Sequence, residues 1–190
     1  MYILASQSPR RKWLMERDIS PLFKVVVSNA DEHFPHELTD PKDIVKFIAK
    51  EKGEIVAKDY PDDIVISADT IVVIDNKILG KPKDKDDAFK MLRTLSGREH
   101  VVYTGYAIFK DRKIVNKVVE TRVIFNDLSD QFIWDYIATG SPMDKAGAYG
   151  FQDKDFPVVN HVIGSVENVI GFPTKEIKKD LDYIERYPKS

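Results

Sequence analysis

The chain has 190 residues, a formal net charge of -2 and no cysteine. This length allows one domain with a sizeable core, and the absence of cysteine excludes disulfides, thiolate metal sites and a cysteine nucleophile. Its intermixed charges create no general field that attracts DNA, RNA or an anionic membrane, so a nucleic-acid partner is disfavoured. The sequence shows neither a signal-peptide pattern nor an apolar run of transmembrane length, and we expect a cytoplasmic protein without a membrane partner.

The first predicted helix carries two arginines at its start. Residues 2–5 are apolar and predict a buried strand, Ser8 is a typical N-cap residue, and Pro9 suits the first helical position. Arg10 and Arg11 then lie in the first turn, where the positive end of the helix dipole disfavours cations unless an anion lies among them. Backbone N–H groups, hydroxyls and guanidinium groups are components of phosphate sites. The segment alone leaves two interpretations open, a phosphate site and two solvated surface arginines.

A long helix and a buried strand follow. Asp40 followed by Pro41 marks a helix N-terminus, and apolar residues recur at helical spacing to about Lys58. Residues 64–68 have the β-branched character of a buried strand, and we expect Asp69 at its end.

The middle of the chain alternates hairpins with a helix. Residues 71–79 predict a hairpin or bent extension, and residues 84–96 carry the strongest helix signals, with Gly97 ending the helix. Residues 99–109 and 113–125 resemble the two strands of a long antiparallel hairpin.

The last third predicts two further helices and a strand. One helix is capped by Ser129 and runs to about Thr139, and another is capped by Thr174. Between them, residues 144–150 predict a loop with close backbone approach, and residues 156–163 predict a strand. This alternation indicates an α/β fold with a mixed central sheet flanked by helices.

Several separate clusters contain side chains suited to phosphate or cation chemistry. They are Ser6, Ser8, Arg10 and Arg11; Asp31 and Glu32; Asp69 and Thr70; and Lys81. Asp69 can hold a cation or act as a base, or it can be an ordinary turn residue at the end of a strand. Asp31 and Glu32 offer oxygen ligands to Mg²⁺, or belong to a solvated acidic loop. These alternatives stay open when each cluster is considered alone.

The lysines and histidines are less specific. Lys81 lies between Gly80 and Pro82, the two residue types with special backbone conformations, but a surface turn explains it equally well. Lys52 lies in the second predicted helix and, taken alone, is a surface lysine. The histidines show no helical ligand spacing, and a zinc site is disfavoured. The sequence also lacks the GxxxxGK[ST], GxGxxG, HExxH and GxSxG motifs.

Considered together, six segments resemble the successive motifs of the Maf family of nucleotide pyrophosphatases, in order and in spacing. They are LASQSPRR at 4–11, SADTIV at 67–72, GKP at 80–82, MLRTLSG at 91–97 with His100, DKAGAYG at 144–150 with Gln152, and NVIGFP at 168–173. Chance agreement across six segments is very improbable, and the resemblance spans nearly the whole chain.

The resemblance implies a Maf/Ham1-like (inosine triphosphatase-like) fold over residues 1–190, as a single domain or as two lobes around a central cleft. It also implies cleavage of a nucleoside triphosphate to a monophosphate and pyrophosphate, a divalent cofactor, Mg²⁺ or Mn²⁺, and a homodimer. Two alternatives are a nucleotide-binding regulator of division or septum formation without turnover, and a pyrophosphatase for modified purine nucleotides such as 7-methyl-GTP or ITP.

The same resemblance assigns roles to individual residues. Asp69 matches the catalytic acid–base position, and Asp69 and Glu32 match metal-binding positions. The specificity positions of the dTTP/UTP branch correspond to Arg10, Thr70 and Gln152, and the phosphate-binding positions correspond to Ser6, Arg11, Lys52 and Lys81. Three residues depart from the family pattern, namely Ser141, Asp153 and Glu167, and we expect the first two to affect the bracing of the loop and the base preference.

Overall fold

The computed structural model describes residues 1–29 and 32–187. Asp31, a candidate metal ligand, lies outside the described residues. The strands are β1 (Tyr2–Leu4), β2 (Phe23–Val25), β3 (Ile64–Ile74), β4 (Lys77–Leu79), β5 (Glu99–Lys110), β6 (Lys113–Phe125) and β7 (Val159–Ile163). Within the described residues they form one sheet in the order β2-β1-β3-β5-β6-β7, with β4 paired to β3. β1 pairs in parallel with β2 and β3, whereas β3–β4 and β6–β7 are antiparallel, so the sheet is mixed, as predicted.

Helices flank this sheet and confirm the predicted α/β class. They are α1 (Pro9–Leu14), α2 (Pro41–Asp59), α3 (Lys85–Leu95), α4 (Asp130–Ala138), α5 (Val166–Ile170) and α6 (Thr174–Arg186). A π-helical segment, Met15–Ile19, continues α1, and 3₁₀ turns occupy Ser141–Asp144 and Ala146–Ala148. In the described part of the chain, no helix is both long enough and apolar enough to cross a membrane.

Side-chain caps explain where four of these helices begin. Backbone N–H groups donate hydrogen bonds to the side-chain oxygens of Ser8 (3.3 Å), Asp40 (2.9 Å), Asp84 (2.7 Å) and Ser129 (3.1 Å). Each bond satisfies an N–H group that has no partner within its helix. The four predicted helix starts are therefore confirmed.

Two tight turns connect neighbouring strands. Asp75 and Asn76 join β3 to β4 with φ angles of 51° and 60°, and Asp111 and Arg112 join β5 to β6 with 48° and 64°. Positive φ at both central residues is the geometry that matches the twist of paired strands in a two-residue hairpin. Both hairpins are placed as the sequence predicts.

The described residues divide into two compact units. The first comprises the described residues within Met1–Asp69, Thr104–Val119 and Gly171–Ser190. Part of its core joins α2 to strands β1, β3 and β5, through Ile3, Ala5, Val56, Val65, Ala107 and Phe109. This packing holds the amino-terminal half of β3 against α2.

The second unit comprises Thr70–Tyr103 and Glu120–Ile170. Its core is rich in large side chains from α3, α4 and the strands, including Leu92, Leu95, Val123, Phe125, Ile133 and Tyr136. Tyr149 directly follows the second 3₁₀ turn and belongs to the same core.

β3 is longer than predicted, and Asp69 lies in its interior. We predicted a strand over residues 64–68 that ends at Asp69, whereas β3 continues without a break to Ile74. A carboxylate within a buried strand is tolerated because Lys52 donates a hydrogen bond to it at 3.0 Å. The prediction that Asp69 ends the strand is wrong, and the interpretation of Asp69 as a turn residue fails with it.

Two other boundaries differ from the predictions. β7 begins at Val159 and not at residue 156, because residues 151–155 form turns and residues 156–158 are irregular. Thr174 is the first residue of α6 and not its cap: Pro173 occupies the cap position, and the Thr174 hydroxyl donates to Asp18 Oδ2 at 2.6 Å. A threonine before an amphipathic helix predicts a cap, but here a tertiary hydrogen bond takes the hydroxyl.

Candidate active site

The turn between β1 and α1 holds the Arg11 side chain in place. Ser6 Oγ accepts hydrogen bonds from the Ser8 N–H at 3.2 Å and from Arg11 Nη1 at 3.4 Å. Arg11 Nε donates to the Gly171 carbonyl oxygen at 2.8 Å. Two sides of the guanidinium group are therefore bound to groups of the first unit, and the side chain has a defined orientation.

Burial and nearby charges shift the pKa of Arg11 in opposite directions. Burial is the largest influence and lowers the pKa of Arg11, and the neighbouring Arg10 acts in the same direction. Asp69 and Glu32 act in the opposite direction, but the net effect leaves the pKa of Arg11 below its ordinary value. A bound anion would offset the unfavourable effect of two adjacent guanidinium groups in this first turn.

Lys52 joins two of the predicted acidic residues. Its Nζ lies 2.9 Å from Glu32 Oε1 and 3.0 Å from Asp69 Oδ1. The Lys52 side chain is 19% exposed and that of Asp69 12%, whereas that of Glu32 is 58% exposed. The sequence-based interpretation of Lys52 as a surface lysine is therefore wrong.

Close packing between α2 and β3 explains how Lys52 reaches Asp69. The Ser67 hydroxyl of β3 donates to the Ala49 carbonyl of α2 at 2.6 Å. At Gly53, a Cβ atom would lie 2.3 Å from Phe109 Cε2 and 2.4 Å from Ser67 Oγ. A larger residue at this helix position would push α2 away from the sheet, so the glycine directly after Lys52 permits the approach.

Glu32 and Asp69 provide carboxylate oxygens, the type of ligand that a divalent cation such as Mg²⁺ prefers. Glu32 and Asp69 both place a carboxylate oxygen within 3.0 Å of one cationic atom, Lys52 Nζ. Mg²⁺ is usually bound by one or two carboxylates together with substrate phosphates and water, and this donor set satisfies that requirement. No group of three or more His, Asp or Glu side chains able to hold a metal occurs within residues 1–29 and 32–187.

The remaining predicted site residues belong to the second unit. Thr70 follows Asp69 in β3 and is partly buried, and Lys81 is exposed between β4 and α3. The Gly80 carbonyl beside Lys81 accepts a hydrogen bond from the Gly147 N–H at 3.1 Å. Gly147 has a φ angle of 71°, and its Cβ would lie within 3.2 Å of Val72 side-chain atoms, so the predicted close backbone approach is confirmed here.

Gln152 is exposed on a turn that the structure ties to a buried tyrosine. The two unusual residues of this region touch each other, since the Ser141 hydroxyl donates to Asp153 Oδ2 at 2.7 Å. The hydroxyl of Tyr136 donates to the same carboxylate oxygen. The departures from the family pattern identified Ser141 and Asp153 in advance, whereas no signal in the sequence distinguished Tyr136 from an ordinary core residue.

Comparison with known proteins places the chain in a family. A family model described as Maf-like protein matches residues 1–184. The dTTP/UTP pyrophosphatase of Geobacillus sp. (strain WCH70) is 46% identical over 179 residues, which cover 94% of this chain and 95% of that protein. The dTTP/UTP pyrophosphatase of Dictyoglomus turgidum (strain DSM 6724 / Z-1310) is 45% identical over 182 residues, which cover 95% and 94%.

Among solved structures, the Ham1 protein of Staphylococcus aureus aligns with a TM-score of 0.46 and 16% identity over 68% of this chain and 72% of that chain. The family match extends over almost the whole sequence and includes all six segments that resemble family motifs. The chain belongs to the Maf-like protein family.

Proposed function

We propose that this protein hydrolyses nucleoside triphosphates, with dTTP and UTP preferred, to a nucleoside monophosphate and pyrophosphate. The observation that carries the proposal is the cluster of Arg11, Lys52 and Asp69 in the first unit, where two cations lie beside a carboxylate held in a buried strand. The two relatives described above, both named dTTP/UTP pyrophosphatase, support the same substrate class.

The chemistry requires a water oxygen to attack the α-phosphorus while the bond between that phosphorus and the α–β bridging oxygen breaks. Asp69 positions this water and accepts its proton, and Lys52 orients the Asp69 carboxylate through its hydrogen bond. Arg10, Arg11 and Lys81 stabilise the charge that grows on the leaving pyrophosphate, and Ser6 holds Arg11 in position.

Asp69 and Glu32 would hold a divalent cation, Mg²⁺ or Mn²⁺, which would supply positive charge to neutralise the triphosphate. The same Lys52 Nζ contacts both carboxylates, so Lys52 orients the two ligands of that cation as well.

Gln152, with Arg10 and Thr70, provides base specificity. A glutamine amide offers both a donor and an acceptor, which matches the O4 and N3–H pattern shared by uracil and thymine but not the pattern of cytosine. One missed hydrogen bond of this kind corresponds to roughly tenfold to hundredfold discrimination.

The test is pyrophosphate release from UTP, dTTP, CTP, ITP and 7-methyl-GTP in the presence of Mg²⁺, by the wild type and by Asp69→Asn. We expect the wild type to release pyrophosphate fastest from UTP and dTTP, and Asp69→Asn to lower kcat by about 100-fold or more because the base is lost. Asp59→Asn, at the exposed end of α2, is the matched control and should retain full activity.

Each rival function has its own outcome in this experiment. Wild-type protein that binds UTP but releases no pyrophosphate would establish a nucleotide-binding regulator. Preference for ITP or 7-methyl-GTP would establish a pyrophosphatase for modified purines, and equal turnover of CTP and UTP would refute the role of Gln152.

We also propose that the active form is a homodimer in the cytoplasm, as the resemblance and the composition predict. Sedimentation velocity measures the first property and cell fractionation the second.

A further inference from the structure

Gln152 occupies the exposed tip of a closed turn. The turn comprises Gly150, Phe151, Gln152 and Asp153, and the Asp153 N–H donates to the Gly150 carbonyl at 3.2 Å. The two central residues are exposed, whereas Gly150 is buried and Asp153 partly buried. The position of the Gln152 backbone therefore depends on how the two ends of the turn are held.

A single buried hydroxyl group holds both ends. Tyr136 Oη accepts a hydrogen bond from the Gly150 N–H at 2.9 Å and donates to Asp153 Oδ2. Burial, together with the bond to Asp153, raises the pKa of Tyr136, so the hydroxyl stays protonated and remains a donor. The Tyr136 ring stacks on Phe156 with centroids 5.1 Å apart, and this packing fixes the position of the hydroxyl.

A second set of contacts supports the same carboxylate. Ser141 Oγ donates to Asp153 Oδ2 at 2.7 Å, and Lys145 Nζ donates to the Ser141 carbonyl at 2.6 Å. A Cβ at Gly150 would lie 2.8 Å from Lys145 Cε and 3.0 Å from Asp153 Oδ2. The side chains around the carboxylate are therefore packed closely enough to restrict its position.

Open space adjoins the turn on another side. A cleft of about 300 Å³ is lined by residues that include Gly150, Phe151 and Asp153. If the hydrogen bonds to the buried hydroxyl were lost, the turn would have room to shift. The hydrogen bonds to the Tyr136 hydroxyl therefore help to determine where the tip residues lie.

We propose that Asp153 and Tyr136 are positioning residues for base specificity, which act by holding the turn that presents Gln152. This inference rests on the proposed function, since it assumes that Gln152 reads the base. Asp153 and Tyr136 themselves need not touch the nucleotide. They affect the discrimination between bases whose edges differ where the Gln152 amide binds.

The experiment measures the ratio of kcat/KM for UTP to that for CTP in a double-mutant cycle. Tyr136→Phe removes the bridging hydroxyl and retains the ring, and we expect it to lower the ratio by about tenfold, the scale of one lost buried hydrogen bond. Asp153→Asn should lower the ratio in the same direction. In a Gln152→Ala background, adding Tyr136→Phe should change the ratio by less than about twofold, because the tyrosine acts through Gln152.

Matched controls are Tyr183→Phe and Asp155→Asn, both at exposed positions, and both should keep the wild-type ratio. A thermal melt of each variant separates loss of folding from loss of discrimination. An unchanged ratio in folded Tyr136→Phe and Asp153→Asn overturns the inference, and so does an equal effect of Tyr136→Phe with and without Gln152. If the wild type releases no pyrophosphate, the proposed function fails, and the same cycle measured as UTP and CTP dissociation constants decides the positioning role.

Discussion

At the scale of single residues, the site depends on charged side chains that the protein partly buries and then supplies with partners. Arg11 and Lys52 are both partly buried cations, and each contacts specific oxygens of the first unit. Removal of one partner of such a pair leaves a charge with reduced hydration, which is more unfavourable than the loss of an exposed pair.

Arg11→Lys tests whether the fork of the guanidinium group matters. A lysine ammonium cannot reproduce both the Nε bond to Gly171 and the Nη1 bond to Ser6, and we expect the free energy of unfolding to fall by about 1–3 kcal/mol. Urea unfolding of the ligand-free protein measures this change. Arg186→Lys, at the exposed end of α6, is the control, and equal stability of the two variants would contradict the prediction.

At the scale of elements, the contact between α2 and β3 places Lys52 beside Asp69. Helix α2 presents Lys52 and Gly53 next to each other, one towards the carboxylates and the other against Phe109 and Ser67. The closeness of the helix to the sheet and the reach of the lysine are therefore linked.

Gly53→Ala tests this link. Alanine favours a helix by up to about 1 kcal/mol over glycine, but the added Cβ overlaps Phe109 and Ser67, and overpacking of this kind costs about 1–3 kcal/mol. We expect lower stability and a lower kcat, because the helix carrying Lys52 moves away from Asp69. Chemical denaturation and pyrophosphate release measure the two effects.

The control for stability is Gly80→Ala, where an added Cβ has no atom within 4 Å. If Gly53→Ala is as stable as Gly80→Ala and fully active, the close packing of α2 does not position Lys52.

At the scale of the whole molecule, the pH dependence of stability depends on a buried histidine. His100 is 2% exposed, and its Nε2 lies 2.7 Å from the Tyr149 hydroxyl. Burial lowers the pKa of His100 from 6.5 to about 4. Between these values the unfolded chain binds a proton at this residue that the folded protein does not bind.

We therefore expect the free energy of unfolding to decrease as the pH falls from about 6.5 to about 4, with a contribution from His100 of about 3 kcal/mol over the whole range. Above pH 6.5 His100 is neutral in the folded and the unfolded state, so its full contribution to stability is present. Urea titrations at several pH values measure it, and His100→Gln should flatten the dependence, whereas His161→Gln, at an exposed position, should leave it intact. A dependence as steep in His100→Gln as in the wild type would refute the assignment.

Sequence patterns predicted those helices and turns that depend on interactions between residues close in the sequence. The N-caps at Ser8 and Asp84 and the turn at Asp75-Asn76 depend on residues within a few positions of one another, and the structure confirms them. Thr174 was assigned wrongly because its hydroxyl bonds to Asp18, which is distant in the sequence. The short helix α5 was not predicted, since such a short segment carries little periodicity.

By itself the sequence determined the α/β class, the order of the main elements, the family and the chemical types available to the site, because these follow from periodicity, caps and motifs. Only the tertiary structure decided that Asp69 lies within a strand, that Lys52 bridges Glu32 and Asp69, and that Tyr136 holds the turn carrying Gln152. The physical reason is that burial and pairing of charges depend on residues distant in the chain, whose approach is set by packing.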